Sequence, residues 1–178
     1  MTLGFRMGKL HQINIGSGGV PKQRVCVAEV TVERVLGDDW NWSHEKIQPN
    51  GKLGKHGGKT QAVCLYSLEC LEKLKASGLE VFPGALGENF TTEGIDYHSV
   101  RIQDIYRVGP EVQICITKIR SPCLTIVKAY GQDILSAMCD ERVKQCDYSS
   151  PKWGMTGFYA EVLQPGFVRE GDNIVKIN

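Results

Sequence analysis

Short apolar runs rich in valine and isoleucine recur along this chain, and glycine, proline or aspartate lies between them. They fall at Leu10 to Ile15, Arg24 to Leu36, Val112 to Thr117, Tyr159 to Leu163 and Ile174 to Ile177. β-Branched side chains suit a pleated surface, and runs of this length bounded by turn formers read as antiparallel strands. Within Arg24 to Leu36, Val25, Val27, Val30 and Val32 alternate with Arg24, Glu29, Thr31 and Glu33. The alternation shifts phase once, as a β-bulge in one curved, barrel-forming strand would produce. Gln164-Pro165-Gly166-Phe167 and Gly171-Asp172-Asn173 carry turn residues, so the chain is expected to end in hairpins. Two stretches have helical spacing. One is Ser67 to Ser77, with Leu68, Leu71 and Leu74 at three-residue steps between a start at Ser67 and a stop at Ser77-Gly78; the other is roughly Lys128 to Gln145. The pattern predicts a mainly β fold, a barrel with two or three helices packed on it.

Length and charge narrow the function classes. With 178 residues and 42% hydrophobic content the chain is expected to form a single domain over residues 1–178. Lys plus Arg number 21 against 20 Asp plus Glu, so no global field marks a nucleic-acid or membrane binder and any electrostatic recognition is local. Seven cysteines occur without a C-x-x-C pair, and Met1 to Lys9 lacks the apolar run of a signal peptide. These features point to a reducing cytoplasm, where Asn41-Trp42-Ser43 and Asn89-Phe90-Thr91 are chance glycosylation triplets.

Three constellations could carry chemistry. The long segment from Gly37 to Thr60 holds Trp40, Trp42 and His44, and it brings Lys52, Lys55, His56 and Lys59 among glycines. Glycine lets backbone N–H groups turn toward an anion, so this stretch could cradle a phosphate, or it could be a solvated loop. It is not a P-loop, because Leu53 stands where that motif needs its first glycine. Second, Thr117 to Cys123 follows a strand-like run, and Pro122 stops the ladder and presents Cys123 at its mouth. Lys118 and Arg120 alternate along that strand and are expected to share a face, and positive charge nearby favours thiolate over thiol, which makes a better nucleophile or metal ligand. A buried, inert cysteine is the ordinary alternative. Third, the glycine-rich stretch Phe82 to Gly94 holds Asn89, whose amide could bind the edge of a heterocycle or cap neighbouring backbone. Cys26, Cys64 and Cys115 read as core and Cys70 as helix packing. Cys139 and Cys146, seven apart on the second predicted helix, could share a face but lack further zinc ligands.

Taken in order, His56-Gly57-Gly58 with Gln61-Ala62-Val63, Gly87-Glu88-Asn89-Phe90-Thr91-Thr92-Glu93-Gly94, Arg107-Val108-Gly109-Pro110, Arg120-Ser121-Pro122-Cys123 and Gly157-Phe158-Tyr159-Ala160 resemble the MOSC domain family. These domains stand at the C-terminal end of molybdenum cofactor sulfurases and also occur as stand-alone bacterial proteins. The resemblance implies a closed β-barrel of the pyruvate-kinase-insert type with a basic cleft for the pterin of the molybdenum cofactor (molybdopterin). It implies that Cys123 ligates molybdenum or carries sulfur as a persulfide, with Lys118, Arg120, His56, Lys59 and Asn89 lining the cleft. Related members reduce N-hydroxylated compounds, so an oxidoreductase or a sulfurtransferase-like activity is implied. The partner would be a cysteine desulfurase or an electron-transfer protein with flavin or iron–sulfur centres, and pyridoxal phosphate would belong to a separate desulfurase. Many members carry an acidic residue ahead of the histidine motif, where this chain has Lys55.

Other classes remain open on the residues alone. A non-catalytic persulfide carrier would use Cys123 without turnover. A module for an anionic ligand would use Lys52, Lys55 and Lys59 and would weaken with salt. A hydrolase pairing Cys123 with His56 is disfavoured, because no oxyanion-hole motif accompanies either residue.

Overall fold

The computed structural model describes residues 7–16, 19–38 and 58–178. Among them the strands are β1 (Gly8–Ile15), β2 (Gln23–Val25), β3 (Val27–Val30), β4 (Val63–Ser67), β5 (Phe90–Glu93), β6 (Ile105–Val108), β7 (Val112–Ile119), β8 (Phe158–Gln164), β9 (Gly166–Arg169) and β10 (Asn173–Lys176). The helices are α1 (Leu68–Ala76), α2 (Leu124–Tyr130), α3 (Asp133–Met138) and α4 (Glu141–Lys144). Seven strands follow one another in the order β10-β6-β7-β8-β4-β5-β1, and pairing of β10 with β1 closes the ring into a barrel. Closure leaves the ring without an open edge, which is how a sheet this apolar avoids pairing with other chains. β2 attaches to β1 outside the ring, and β3 with β9 forms a separate two-stranded ribbon.

Packing follows from the sequence at each level. β4 is buried at every residue, with β8 and β5 paired along its two edges and α1 packed against it. Its neighbour β5 runs parallel to it, which demands a crossover, and α1 is part of that crossover. The helix starts where the Ser67 hydroxyl accepts the Cys70 N–H and ends before Gly78 at φ 92°, as the sequence predicts. Ile114, Ile116, Phe90 and Phe158 fill the core with Trp153, whose Nε1 donates to the Val100 carbonyl at 2.8 Å. Each such buried side chain contributes on the order of 1.5–3 kcal/mol.

Three expectations are corrected. Arg24 to Leu36 is not one bulged strand: β2 pairs with β1, while β3 pairs with β9 in the other sheet. Cys26 sits at that handover and is exposed rather than core, and Thr31 then turns the chain so that Val35 returns to bridge Val30. The predicted helix from Lys128 to Gln145 is three short helices. Gly131 at φ 83° ends α2, and the Asp140 carboxylate captures the Val143 N–H to start α4. Cys139 and Cys146 therefore do not share a helix. Nor does the chain end in hairpins, since β9 pairs with β3, and β10 inserts between β6 and β1.

Candidate functional site

β7 runs to Ile119, and the Arg120 N–H then donates to the Gly157 carbonyl at 2.9 Å, which ties the strand's end to the loop before β8. Pro122 carries no N–H, and Cys123 follows in extended backbone as the residue before α2, its carbonyl accepting the N–H groups of Ile126 and Val127. Cys123 is half-buried at the margin of the core, packed against it but not enclosed by it. The arrangement is the one read from the sequence, a strand, a proline stop and a thiol presented beyond it. Arg120 and Tyr159 lie within electrostatic reach of this cysteine.

Arg120 and Lys118 do not share the face expected of them, since Arg120 is buried and Lys118 exposed. β7 takes a bulge between Ile116 and Lys118, and Lys118 pairs with Tyr159 of β8. The exposed Lys118 ammonium lies 5.4 Å from the centre of the Tyr159 ring. Arg120 is 5% exposed and enters the interior, where Nη2 donates to the Leu86 carbonyl and the guanidinium also reaches the Tyr159 hydroxyl. Both cations thus meet Tyr159, one from solvent and one from inside. Burial pushes the Tyr159 phenol up to about 12, so it stays protonated near neutrality and can donate a hydrogen bond. The Arg120 Nη1 is buried with no hydrogen-bond partner. An interior cation with an unspent donor carries a desolvation cost, which an anion would offset.

The loop before β5 forms the other wall. Gly84 and Gly87 take φ 90° and 79°, and a Cβ at Gly87 would lie 3.9 Å from Arg120 Nη2. Tyr130 of α2 donates to the Ala85 carbonyl at 3.0 Å and fastens the helix to this loop. Glu88 is fully buried. Its Oε1 accepts the Gly84 N–H at 2.6 Å and the Thr91 hydroxyl at 2.9 Å, while Oε2 has no partner. Burial raises the Glu88 pKa against the pull of those bonds and of Arg120.

Asn89 takes the capping role weighed for it in the sequence, with its amide spent on the protein. Its Oδ1 accepts the Cys64 N–H at 3.0 Å, and Nδ2 donates to Asp38 Oδ2 at 2.7 Å and the Asn14 carbonyl at 3.4 Å. It therefore braces β4 and the loop. Asp38 also pairs with Lys22 at 2.6 Å in the interior. Lys59 is exposed in a 3-10 turn over Lys59–Gln61, which the Thr117 hydroxyl holds beside β7 by donating to the Thr60 carbonyl at 2.6 Å. His56, Lys52, Lys55, His44, Trp40 and Trp42 lie outside the described residues. Among the described residues no cluster of three or more His, Cys, Asp or Glu is placed to hold a metal ion.

The sequence did not single out Glu88, Tyr159 or the Lys22–Asp38 pair. Glu88 had one usable signal, a carboxylate in a glycine-rich stretch flanked by apolar residues. Tyr159 stood only inside the Gly157-Phe158-Tyr159-Ala160 motif, with nothing to mark its role, since its place depends on which strand faces β7.

Comparisons with known proteins bear on this geometry. A family model described as the MOSC domain matches residues 52–175. A curated relative, the uncharacterized protein YflK of Bacillus subtilis (strain 168), is 32% identical over 135 residues, which cover 73% of this chain and 55% of that protein. The chain thus spans about half the length of that relative. Among solved structures, YiiM from Geobacillus stearothermophilus superposes with a TM-score of 0.66 at 21% identity, covering 96% of this chain and 75% of that one. The YUAD protein from Bacillus subtilis gives 0.67 at 18% identity, covering 94% of each. At these identities the likeness is one of fold. Among the described residues no helix is long and apolar enough to cross a membrane.

Proposed function

The chain belongs to the MOSC domain family, which is linked to binding of the molybdenum cofactor, and we propose that it holds that cofactor with Cys123 as the protein ligand to molybdenum and serves as a reductase of N-hydroxylated compounds. The observation that carries the reading is the buried, unpartnered Nη1 of Arg120 within electrostatic reach of Cys123. A soft thiolate suits molybdenum, and a guanidinium suits the anionic arm of the pterin. These residues fit the group. Cys123 would ligate the metal, while Arg120, Lys118 and Lys59 would hold the anionic arm. When bound, the cofactor supplies a metal centre that exchanges electron pairs with a substrate. The chain's own groups do the rest: Arg120 fixes an anion at Nη1, Tyr159 stays protonated as a donor, and Lys118 keeps the mouth cationic. Electrons would come from a flavin or iron–sulfur partner.

The test is molybdenum and pterin content after expression in a host that makes the cofactor. Wild type is expected to carry molybdenum near stoichiometry and Cys123→Ser to carry none; equal trace amounts in both reject the reading. A second reading, a persulfide carrier, is favoured by the half-exposed Cys123 next to Leu124, which is 76% exposed and open to a protein donor. Intact mass after incubation with a cysteine desulfurase and cysteine would then show one added sulfur, lost in Cys123→Ser. No adduct in the wild type removes that reading.

A further inference from the structure

Glu88 is a fully buried acid that the proposed function leaves without a task. It faces Arg120 from the end of β7, Cys64 and Tyr66 from β4, and Tyr130 from α2. The buried Lys22–Asp38 pair adjoins the same loop through Asn89. Cys64, Tyr66 and Tyr130 are all raised, burial being the largest cause in each, so they keep their protons near neutrality. Arg120 is the fixed cation of the group, and Glu88 is the carboxylic acid beside it, its pKa raised first by burial. No direct hydrogen bond joins the two. Each keeps one buried atom unspent, Oε2 on the acid and Nη1 on the cation.

We propose that Arg120 receives one small oxyanion at Nη1 and that this uptake is coupled to protonation of Glu88. The balance of charge is simple. Without a bound anion, ionised Glu88 offsets Arg120 and the buried pair is neutral. An oxyanion on Nη1 would leave an extra negative charge inside, and one proton on Glu88 Oε2 restores the balance. Like charges in a poorly solvated site do not ionise together, so the bound state takes the proton. Both Oε1 bonds, from Gly84 and Thr91, survive that change, because a protonated acid still accepts at its other oxygen. Glu88 is therefore a positioning residue: it sets when Arg120 is available and does not touch the reacting atoms.

This rests on reading Arg120 as the anion-holding group of the proposed site, but not on the identity of the metal. The probe is inorganic sulfate, which keeps its charge over the working pH range, titrated by calorimetry into the cofactor-free full chain. In wild type the affinity is expected to fall by about tenfold for each pH unit over the window in which Glu88 loses its proton. In Glu88→Gln, which retains the Oε1 acceptor and mimics the protonated acid, the affinity is expected to stay at the tight value throughout. A second measurement needs no variant: sulfate binding to wild type in two buffers of different ionisation enthalpy should reveal proton uptake. Equal pH slopes in wild type and Glu88→Gln, no proton uptake, or no sulfate binding overturns the proposal. Repeating the titration with Cys123→Ser separates the two readings, since the linkage survives there even if no molybdenum is ever bound. Protein isolated with cofactor assigns the source. Lost sulfate binding marks the subsite as that of the cofactor's anionic arm and retained binding marks a free oxyanion, while the pH slope and proton uptake of the cofactor-free chain decide the linkage.

Discussion

Replacing Asp38 by alanine should strongly destabilise this protein. The carboxylate is 3% exposed and meets three donors: Lys22 Nζ at 2.6 Å, Asn89 Nδ2 at 2.7 Å and the Gly16 N–H at 3.0 Å. Lys22 is itself 6% exposed, so Asp38→Ala strands an interior ammonium. Removing one partner of a buried ion pair costs about 3–5 kcal/mol, because the other charge is left without compensation. The two neutral donors would each add about 1 kcal/mol if they stayed dry, but relaxation of Lys22 toward solvent takes some of this back, so the expected loss is about 4 kcal/mol. Lys22→Met should cost less, about 2 kcal/mol, since Asp38 keeps the Asn89 and Gly16 donors. The sharper test is an inequality: the double variant Lys22→Met with Asp38→Ala should be more stable than Asp38→Ala alone, because no stranded ammonium remains. Equilibrium unfolding in urea at constant m-value measures all three. A loss below about 1 kcal/mol for Asp38→Ala, or strict additivity in the double variant, refutes the reasoning.

Gly157 has φ 78°, and a Cβ there would sit 2.4 Å from the Leu65 carbonyl and 2.8 Å from the Tyr66 ring, so Gly157→Ala should lose at least about 2 kcal/mol in the same unfolding assay. Glu88 has a raised pKa in the fold, caused first by burial, so the folded state binds more protons than the unfolded one above the usual carboxylate value. Wild-type stability should therefore fall as pH rises through that window, while Glu88→Gln should not show the fall; parallel pH profiles of the two proteins would count against it.

The strands that carry a local pattern were legible, and those defined by distant partners were not. β1, β7, β8 and β10 announce themselves through runs of valine and isoleucine between turn residues. β5 hides within a glycine-rich stretch because Phe90, Thr91 and Thr92 are all buried, so no alternation marks the strand. The split between β2 and β3 was hidden for another reason. A phase shift in alternation is what a bulge gives and also what a change of sheet gives, and the pairing of β3 with β9 across some 140 residues decides between them.

The site divides along the same line. Cys123, Lys118 and Arg120 are close in sequence, and a strand followed by Pro122 forces them to one end of β7, so their neighbourhood could be read directly. What could not be read is that Arg120 turns inward while Lys118 stays in solvent, because β7 ends at Ile119 and Arg120 lies beyond the ladder, tied by its N–H to the Gly157 carbonyl. That departure from strand alternation matters chemically. An outward Arg120 would be hydrated and would bind an anion weakly, whereas the inward one loses its water and keeps an unspent donor beside Glu88. If Arg120 holds the anion as proposed, the selectivity comes less from the number of cations than from one of them being buried, and substitutions at Gly157 that shift its carbonyl off the Arg120 N–H should weaken sulfate binding even with every lysine and arginine retained.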